Sequence, residues 1–353
     1  AKNFFGLPDP GHSWRENPPL EKADSGPALW LRHGPSRDGC PWGEWERTEM
    51  MRKAAALAAG ITGLWLAPAV AEDRVTLGWG RLFTNDGVGD GHDRWRTGSY
   101  TVSRVRGPSW TGALPSQFGE ILEFRARAEV IAPESLLFTP PGDRRYAGIL
   151  SFGMHSHAAL GSLETSLGAD LVLTGKQTGM SKLQGTLHDI LGYPEPLVDS
   201  TQIPNGFHPT LVAEAGRSFD LGPATTIRPF AEAQAGLETF VRAGFDLSFG
   251  SYGTGALMLR EQVSGQRYRG VEGSVSPGFT FSLGGDVAHV FDSALLPDGG
   301  AAMLNDTRTR MRAGLAWQGE NASGFYGLTW LGQEFAGQRQ DQVVGSLSLR
   351  LHF

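Results

Sequence analysis

The sequence predicts an all-β chain, a transmembrane antiparallel β-barrel of twelve strands with a short helix in one extracellular loop. Three observations lead there. Beyond residue 71 no apolar run approaches the roughly 20 residues that a membrane-spanning helix needs. Segments of about ten residues instead alternate apolar and polar side chains with period two. The last such segment, running from Gly345 to Phe353, puts Leu347, Leu349, Leu351 and Phe353 on one face and Ser346, Ser348, Arg350 and His352 on the other. A strand stopping on a terminal Phe also resembles the ends of bacterial outer-membrane barrels. In lipid, only a closed barrel lets a sheet pair every backbone N–H and C=O.

Composition narrows the class further. Gly supplies 49 of 353 residues, about twice the usual ~7% share, but without the three-residue period of collagen. An aromatic content of 10% argues against a disordered chain. The net charge of −6 gives no bulk attraction to nucleic acid, so none is expected as a partner. Cys40 is the single cysteine, which excludes an internal disulfide framework and a multi-cysteine zinc or iron–sulfur site.

Residues 1–49 are rich in Pro, Gly, Trp and charge and show no sustained periodicity. They read as an upstream extension, either disordered or a start-site artefact. Met50-Met51-Arg52-Lys53, the apolar stretch Ala54–Leu66 and the exit Ala67-Pro68-Ala69-Val70-Ala71 have the three parts of a secretory signal peptide over 50–71. Cleavage is expected after Ala71, leaving 72–353 as the barrel. Cys40 would go with the leader, leaving no cysteine in the oxidising periplasm.

Within 72–353 the strands are expected at about 74–84, 96–106, 120–132, 145–159, 162–174, 208–220, 225–236, 238–250, 278–292, 306–318, 323–335 and 340–353. Small Gly, Ala and Ser residues on the inner face suit a narrow, filled lumen. The even count returns the chain to the periplasmic side. With strand one starting in the periplasm, the loops at 84–97 and 175–207 share the outer rim. The link 251–277 falls on the periplasmic side and is long for an inner turn. It holds either a small helix or an additional strand pair.

Two polar clusters lie on the outer loops. One is Thr84-Asn85-Asp86-Gly87 followed by Asp93-Arg94-Trp95-Arg96-Thr97-Gly98. Asn, Asp and Gly are turn formers, so a surface turn accounts for Asn85-Asp86-Gly87 by itself. The other cluster runs from Gly175 to Gly192. Gln184 and His188 are four apart there, which stacks them on one face of a helix. Leu183, Leu187, Ile190 and Leu191 fall on another face. The expectation is a short amphipathic helix that packs its leucines and presents Gln184 and His188. His155 and His157 share one side of the fourth strand, too few ligands to define a metal site.

Taken in order, these clusters resemble the outer-membrane lipid A 3'-O-deacylases of the LpxR type. The resemblance is carried by Asn85-Asp86 ending strand one, Asp93-Arg94-Trp95-Arg96-Thr97-Gly98 opening strand two, Pro141-Gly142-Asp143-Arg144-Arg145-Tyr146-Ala147-Gly148, and Gln184-x-x-x-His188 after Gly175 and Gly179. It spans essentially all of 72–353. It implies an enzyme of the outer membrane that hydrolyses the 3'-linked acyloxyacyl ester of lipid A with the help of Ca²⁺, and a monomer is expected.

For that reaction His188 is the expected base, because an imidazole titrating near ~6.5 suits proton transfer close to neutral pH. Gln184 would orient the ring or the water. Asp86, with Asn85 and Thr97, would contribute oxygen ligands to Ca²⁺, and Asn85 would also position the substrate or its oxyanion. The lipid A phosphates would meet Arg94, Arg96, Lys176 and Arg144, with Lys182 and Arg145 as further candidates. Taken singly, each of these cations reads first as a side chain facing solvent or lipid headgroups. No Gly-x-Ser-x-Gly elbow occurs in 72–353. Two other classes stay in play, a non-catalytic barrel acting as a narrow channel or binding surface, and an outer-membrane phospholipase.

Overall fold

The computed structural model describes residues 74–193, 196–274 and 276–351. The upstream extension 1–49, the signal segment 50–71 and the terminal Phe353 lie outside them. The strands are β1 (Val75–Asn85), β2 (Trp95–Gly107), β3 (Ile121–Ala132), β4 (Ala147–Leu160), β5 (Leu163–Thr174), β6 (Gly206–Gly216), β7 (Phe219–Gly222), β8 (Thr225–Ala235), β9 (Glu238–Phe249), β10 (Leu257–Arg260), β11 (Arg267–Val271), β12 (Gly278–Ser293), β13 (Met303–Leu304), β14 (Thr307–Gln318), β15 (Ala322–Leu331), β16 (Phe335–Ala336) and β17 (Gln342–Leu351). One α-helix, α1 (Met180–Leu191), lies between β5 and β6.

All strands except β7, β10, β11, β13 and β16 belong to the barrel wall. These twelve pair antiparallel in sequence order, and the sheet closes where β1 meets β17 and β6 meets β8. The expected barrel is therefore present, with strand ends shifted by a few residues. The expected strand at 208–220 divides into β6 and the short β7, which pairs with β8. The expected strand at 323–335 stops at Leu331, and Phe335–Ala336 pair instead with β13.

Alternation decides which side of the wall each residue takes. On β2, Ser99, Thr101, Ser103 and Val105 are buried, while Tyr100 and Arg104 point out. Around the outside, Trp79, Tyr100, Phe124, Phe152, Phe245, Phe281 and Tyr326 are all exposed on the protein itself. Such a belt fits a hydrocarbon surround, where each Phe- or Leu-sized side chain withdrawn from water contributes roughly 1.5–3 kcal/mol.

The long link 251–277 resolves into a strand pair and not a helix. β10 and β11 form an antiparallel hairpin that lies inside the barrel. Leu257, Leu259, Tyr268 and Val271 pack with the inward residues Leu82, Val105 and Phe325. Tyr268 Oη is 2.8 Å from Ser103 Oγ, and Gln266 Nε2 donates to the carbonyls of Ala313 and Leu328, both at 3.2 Å. The hairpin presses so closely on β1 that a Cβ at Gly80 would come within 2.8 Å of the Tyr268 ring, and one at Gly78 within 2.4 Å of Gly270 O. Glycine is needed there for space.

The rest of the lumen is lined by ion pairs. Towards the outer end Arg96, Arg308 and Arg144 surround Glu334, and Arg96 also reaches Glu129 and Glu238. Lower down Arg260 bridges Glu214 and Asp246. His155 and His157 belong to this lining, bonded to Asp170 at 3.1 Å and Glu123 at 2.9 Å. Buried charges persist only when paired, so removing one partner of such a pair leaves the other uncompensated. A cavity of about 570 Å³ beside the hairpin is lined by His155, His157, Arg125, Arg228 and Tyr252. None of the rim residues singled out from the sequence lines it.

The loops of the outer rim pack on one another. Trp95, Leu296, Ala302 and Phe335 form one small apolar cluster, and Ala132, Tyr146 and Val198 another. The first ties together the links after β1, β12 and β15, the second those after β3 and β5, and the Arg144–Glu334 ion pair joins the two sets.

Candidate active site at the outer rim

β1 ends in a tight turn. Asp86 N donates to Thr97 O (3.1 Å), and Gly89 N and Gly91 N both donate to Asp86 O. Asn85 is committed to this turn, with Nδ2 donating to Thr97 O at 2.8 Å and Oδ1 accepting from Gly87 N at 2.8 Å. The turn reading of Asn85-Asp86-Gly87 is thus correct for Asn85, whose amide holds the mouth of the hairpin. Asp86 differs. Its side chain is 1% exposed, and Oδ2 accepts from Arg94 N at 2.8 Å and Gln342 Nε2 at 3.4 Å. Burial pushes its carboxyl up to about 8; the N–H of Arg94 opposes this, and the nearby Asp93 and Asp90 reinforce it.

β2 opens with a bulge. Three steps along β2, from Trp95 to Gly98, face two steps along β3, from Ala132 to Val130. Trp95 takes the left-handed conformation, with φ at 52°. The extra residue reverses the inside–outside alternation above Gly98. Arg96 consequently turns into the lumen and its ion pairs, while the loop before it is free to turn Asp93 towards the rim.

The second cluster is set by glycines. Gly175 (φ 84°) and Gly179 (φ 69°) flank a 3-10 turn at Lys176–Thr178, and Gly192 (φ 74°) ends α1. α1 presents Gln184 and His188 together, as the four-residue spacing requires, but the face is reversed from expectation. Gln184 and His188 are buried at 6% and 7%, whereas Leu183, Leu187, Ile190 and Leu191 are exposed. The polar face is the one that packs, because it finds polar partners on the barrel.

Those partners bring the two clusters together. His188 Nε2 lies 2.9 Å from Asp93 Oδ2. Gln184 Nε2 donates to Asp93 Oδ1 at 3.3 Å, and Gln184 Oε1 accepts from Tyr146 Oη at 2.9 Å. The Tyr193 ring meets the imidazole edge-on at 5.7 Å. Burial raises the Asp93 carboxyl, and the His188 ring draws it back down. The Thr97 hydroxyl sits beside Asp93 yet is buried without a partner in hydrogen-bonding geometry. Asp93 keeps 35% of its side chain exposed, so the spot is reachable.

Asp86, Asp93, Thr97, Gln184 and His188 therefore share one place on the rim, with Asn85 one step behind. Asp93 and Tyr146 had no role assigned from sequence although both stand inside the quoted motifs. Gln342, from the far end of the chain, carried no signal. The two carboxylates and the orphaned hydroxyl are hard oxygen donors of the kind a divalent cation of the Ca²⁺ type takes. Among the described residues no group of three His, Cys, Asp or Glu side chains is arranged to hold a metal ion, so hydroxyl, carbonyl or water oxygens would complete any shell.

The cations divide differently from expectation. Arg96 and Arg144 are buried in the Glu334 network. Arg94 is buried too, stacked 4.3 Å over Trp95 and bonded to Gln340. A bulge turns Arg96 inward, and the strand-like alternation through Arg144-Arg145-Tyr146 sends Arg144 in and Arg145 out. Lys176, Lys182 and Arg145 are exposed at the rim.

A family model described as outer membrane protein LpxR matches residues 55–353. Among solved structures, the chain is similar to LpxR from Salmonella typhimurium at 18% identity and a TM-score of 0.64, covering 78% of this chain and 100% of that one. The beta domain of the Bordetella autotransporter Brka (TM-score 0.39, 11% identity, 78% and 99% covered) and the translocator domain of the autotransporter NalP from Neisseria meningitidis (0.36, 13%, 85% and 98%) align too loosely to bear on the fold. No curated protein matches the chain.

Proposed function

This chain belongs to the LpxR family of outer membrane proteins, and from that premise we propose that it is a lipid A 3'-O-deacylase, hydrolysing the 3'-linked acyloxyacyl ester in the outer leaflet. The observation that supports this most is the meeting of His188 with Asp93 at 2.9 Å, on the rim that would face the lipid A leaflet.

The division of labour follows from the side chains. His188 takes the proton of an attacking water, and Asp93 stabilises the imidazolium that results. Gln184, held by Tyr146, fixes the Asp93 carboxylate from its other oxygen. Asn85 shapes the turn that carries Asp86. Asp86 and the Thr97 hydroxyl are the residues that would hold Ca²⁺, with backbone carbonyl and water oxygens completing the shell. When bound, Ca²⁺ supplies positive charge that polarises the ester carbonyl and satisfies the buried Asp86 carboxylate. His188 then returns its proton to the leaving alkoxide of the sugar. Lys176, Lys182 and Arg145 are exposed cations that would meet the lipid A phosphates, whereas Arg96 and Arg144 serve the lumen.

Incubation of the purified barrel with lipid A and Ca²⁺, read by mass spectrometry, tests the proposal. Loss of the 3' acyloxyacyl group is expected. Lipid A left intact by correctly folded protein would contradict it, and fatty acid released from phospholipid alone would reassign the enzyme to phospholipids.

A further inference from the structure

α1 has three distinct sides. Met180, Gln184 and His188 face the barrel. Lys182, Thr186 and Asp189 form an exposed polar side. Between them, Leu183, Leu187, Ile190 and Leu191 form an exposed apolar side, with Ile190 at 74%. An amphipathic helix in water packs its apolar side; this one packs a polar side and leaves the leucines out. A helix lying in a membrane interface has that arrangement, with charge towards water and aliphatic side chains towards hydrocarbon.

The neighbouring loop extends the same surface. Leu197 N donates to Leu136 O at 2.7 Å, which brings the segment after α1 against the link between β3 and β4. Leu137 and Phe138 on that link are exposed at 57% and 62%. Below, the apolar wall continues through Phe152 on β4 and Phe207 at the head of β6, exposed at 53% and 64%. These exposed apolar residues thus run on from the helix to the lipid-facing belt, the pattern of an interaction surface and not of scattered surface residues.

We propose that α1 and the Leu137–Phe138 tip form a shelf immersed in the acyl chains of the outer leaflet, and that the shelf sets the His188–Asp93 pair at the boundary between hydrocarbon and headgroups. The occupant of the apolar side is lipid hydrocarbon. The inference deepens the proposed function and rests on it for the meaning of that depth, but its test requires no turnover.

The test is a nitroxide on Ile190→Cys, in the full chain with Cys40→Ser, reconstituted in vesicles of phospholipid and lipid A. Collision with dissolved oxygen and with a water-soluble nickel chelate is compared with labels at Phe152→Cys, on the lipid-facing wall, and Asp189→Cys, on the polar side of α1. Position 190 is expected to behave like 152, with an oxygen-to-nickel ratio severalfold above that at 189. A Leu187→Cys label repeats the measurement should the first label perturb the helix. Equal nickel access at 190 and 189 would overturn the shelf. Dipolar broadening between labels would also overturn it, by identifying a second copy of the chain as the occupant. Failure to deacylate lipid A would leave these ratios unchanged, so the two readings fail separately.

Discussion

His188 Nε2 and Asp93 Oδ2 stand 2.9 Å apart although one belongs to the helix after β5 and the other to the loop after β1. A carboxylate so placed orients the imidazole and balances the positive charge the ring gains on taking a proton. Asp93→Asn keeps the shape and removes that charge. Its kcat for lipid A deacylation should fall by roughly 10²-fold or more, the usual worth of an acid–base pair. Unchanged migration of the unheated barrel on a gel would show that the wall is intact, so that the loss belongs to the site.

Tyr146 reaches the same pair through Gln184, at 2.9 Å from Oε1. Tyr146→Phe removes one hydrogen bond of about 1 kcal/mol net, equivalent to roughly a fivefold fall in rate. KM should hardly change, because the hydroxyl positions the machinery and not the substrate. A rise in KM at constant kcat would assign Tyr146 to substrate binding.

The Asp86 carboxyl, lifted to about 8 by burial, predicts a pH-dependent stability of known sign. In chelator the folded chain keeps a proton that the unfolded chain, with an ordinary carboxyl near ~3.9, releases. Folded stability is then full below about pH 4 and is lost as pH rises towards about 8. A divalent cation competes with that proton, so Ca²⁺ should raise Tm more at about pH 8 than at about pH 5. Asp86→Asn should flatten the profile in chelator and abolish the Ca²⁺ effect. Thermal melts followed by circular dichroism read both.

The hairpin of β10 and β11 fills the lumen and anchors Gln266 to the wall at 3.2 Å. Intact protein in a planar bilayer should therefore pass little current, and replacing residues 258–270 by a short Gly-Ser turn should open ion-conducting events. Steady conductance from the intact chain would favour the channel reading over an enzyme.

The barrel was legible because its strands alternate cleanly. Leu347, Leu349 and Leu351 share one exposed face as the alternation requires, and all twelve wall strands fall within a few residues of their expected places. The hairpin was legible only as an excess of chain, since Leu257–Arg260 and Arg267–Val271 are too short and too rich in Arg to show alternation. The positions of Arg96 and Arg144 depend on one extra residue in β2 and on which residue of a pair takes the odd place, neither of which composition reveals. The four-residue step correctly stacked Gln184 on His188. Periodicity identifies faces without saying which one packs, and the expectation that the leucines would pack assumed water outside where the surface fits lipid.

The most direct test of the central claim compares His188→Ala, Asp93→Asn and the double variant in lipid A vesicles with saturating Ca²⁺, by initial rate of acyloxyacyl release. If the two residues act as one unit, each single variant loses nearly as much as the double, and the losses do not multiply. Full activity in His188→Ala, or independent losses that multiply in the double variant, would contradict a shared role at the rim.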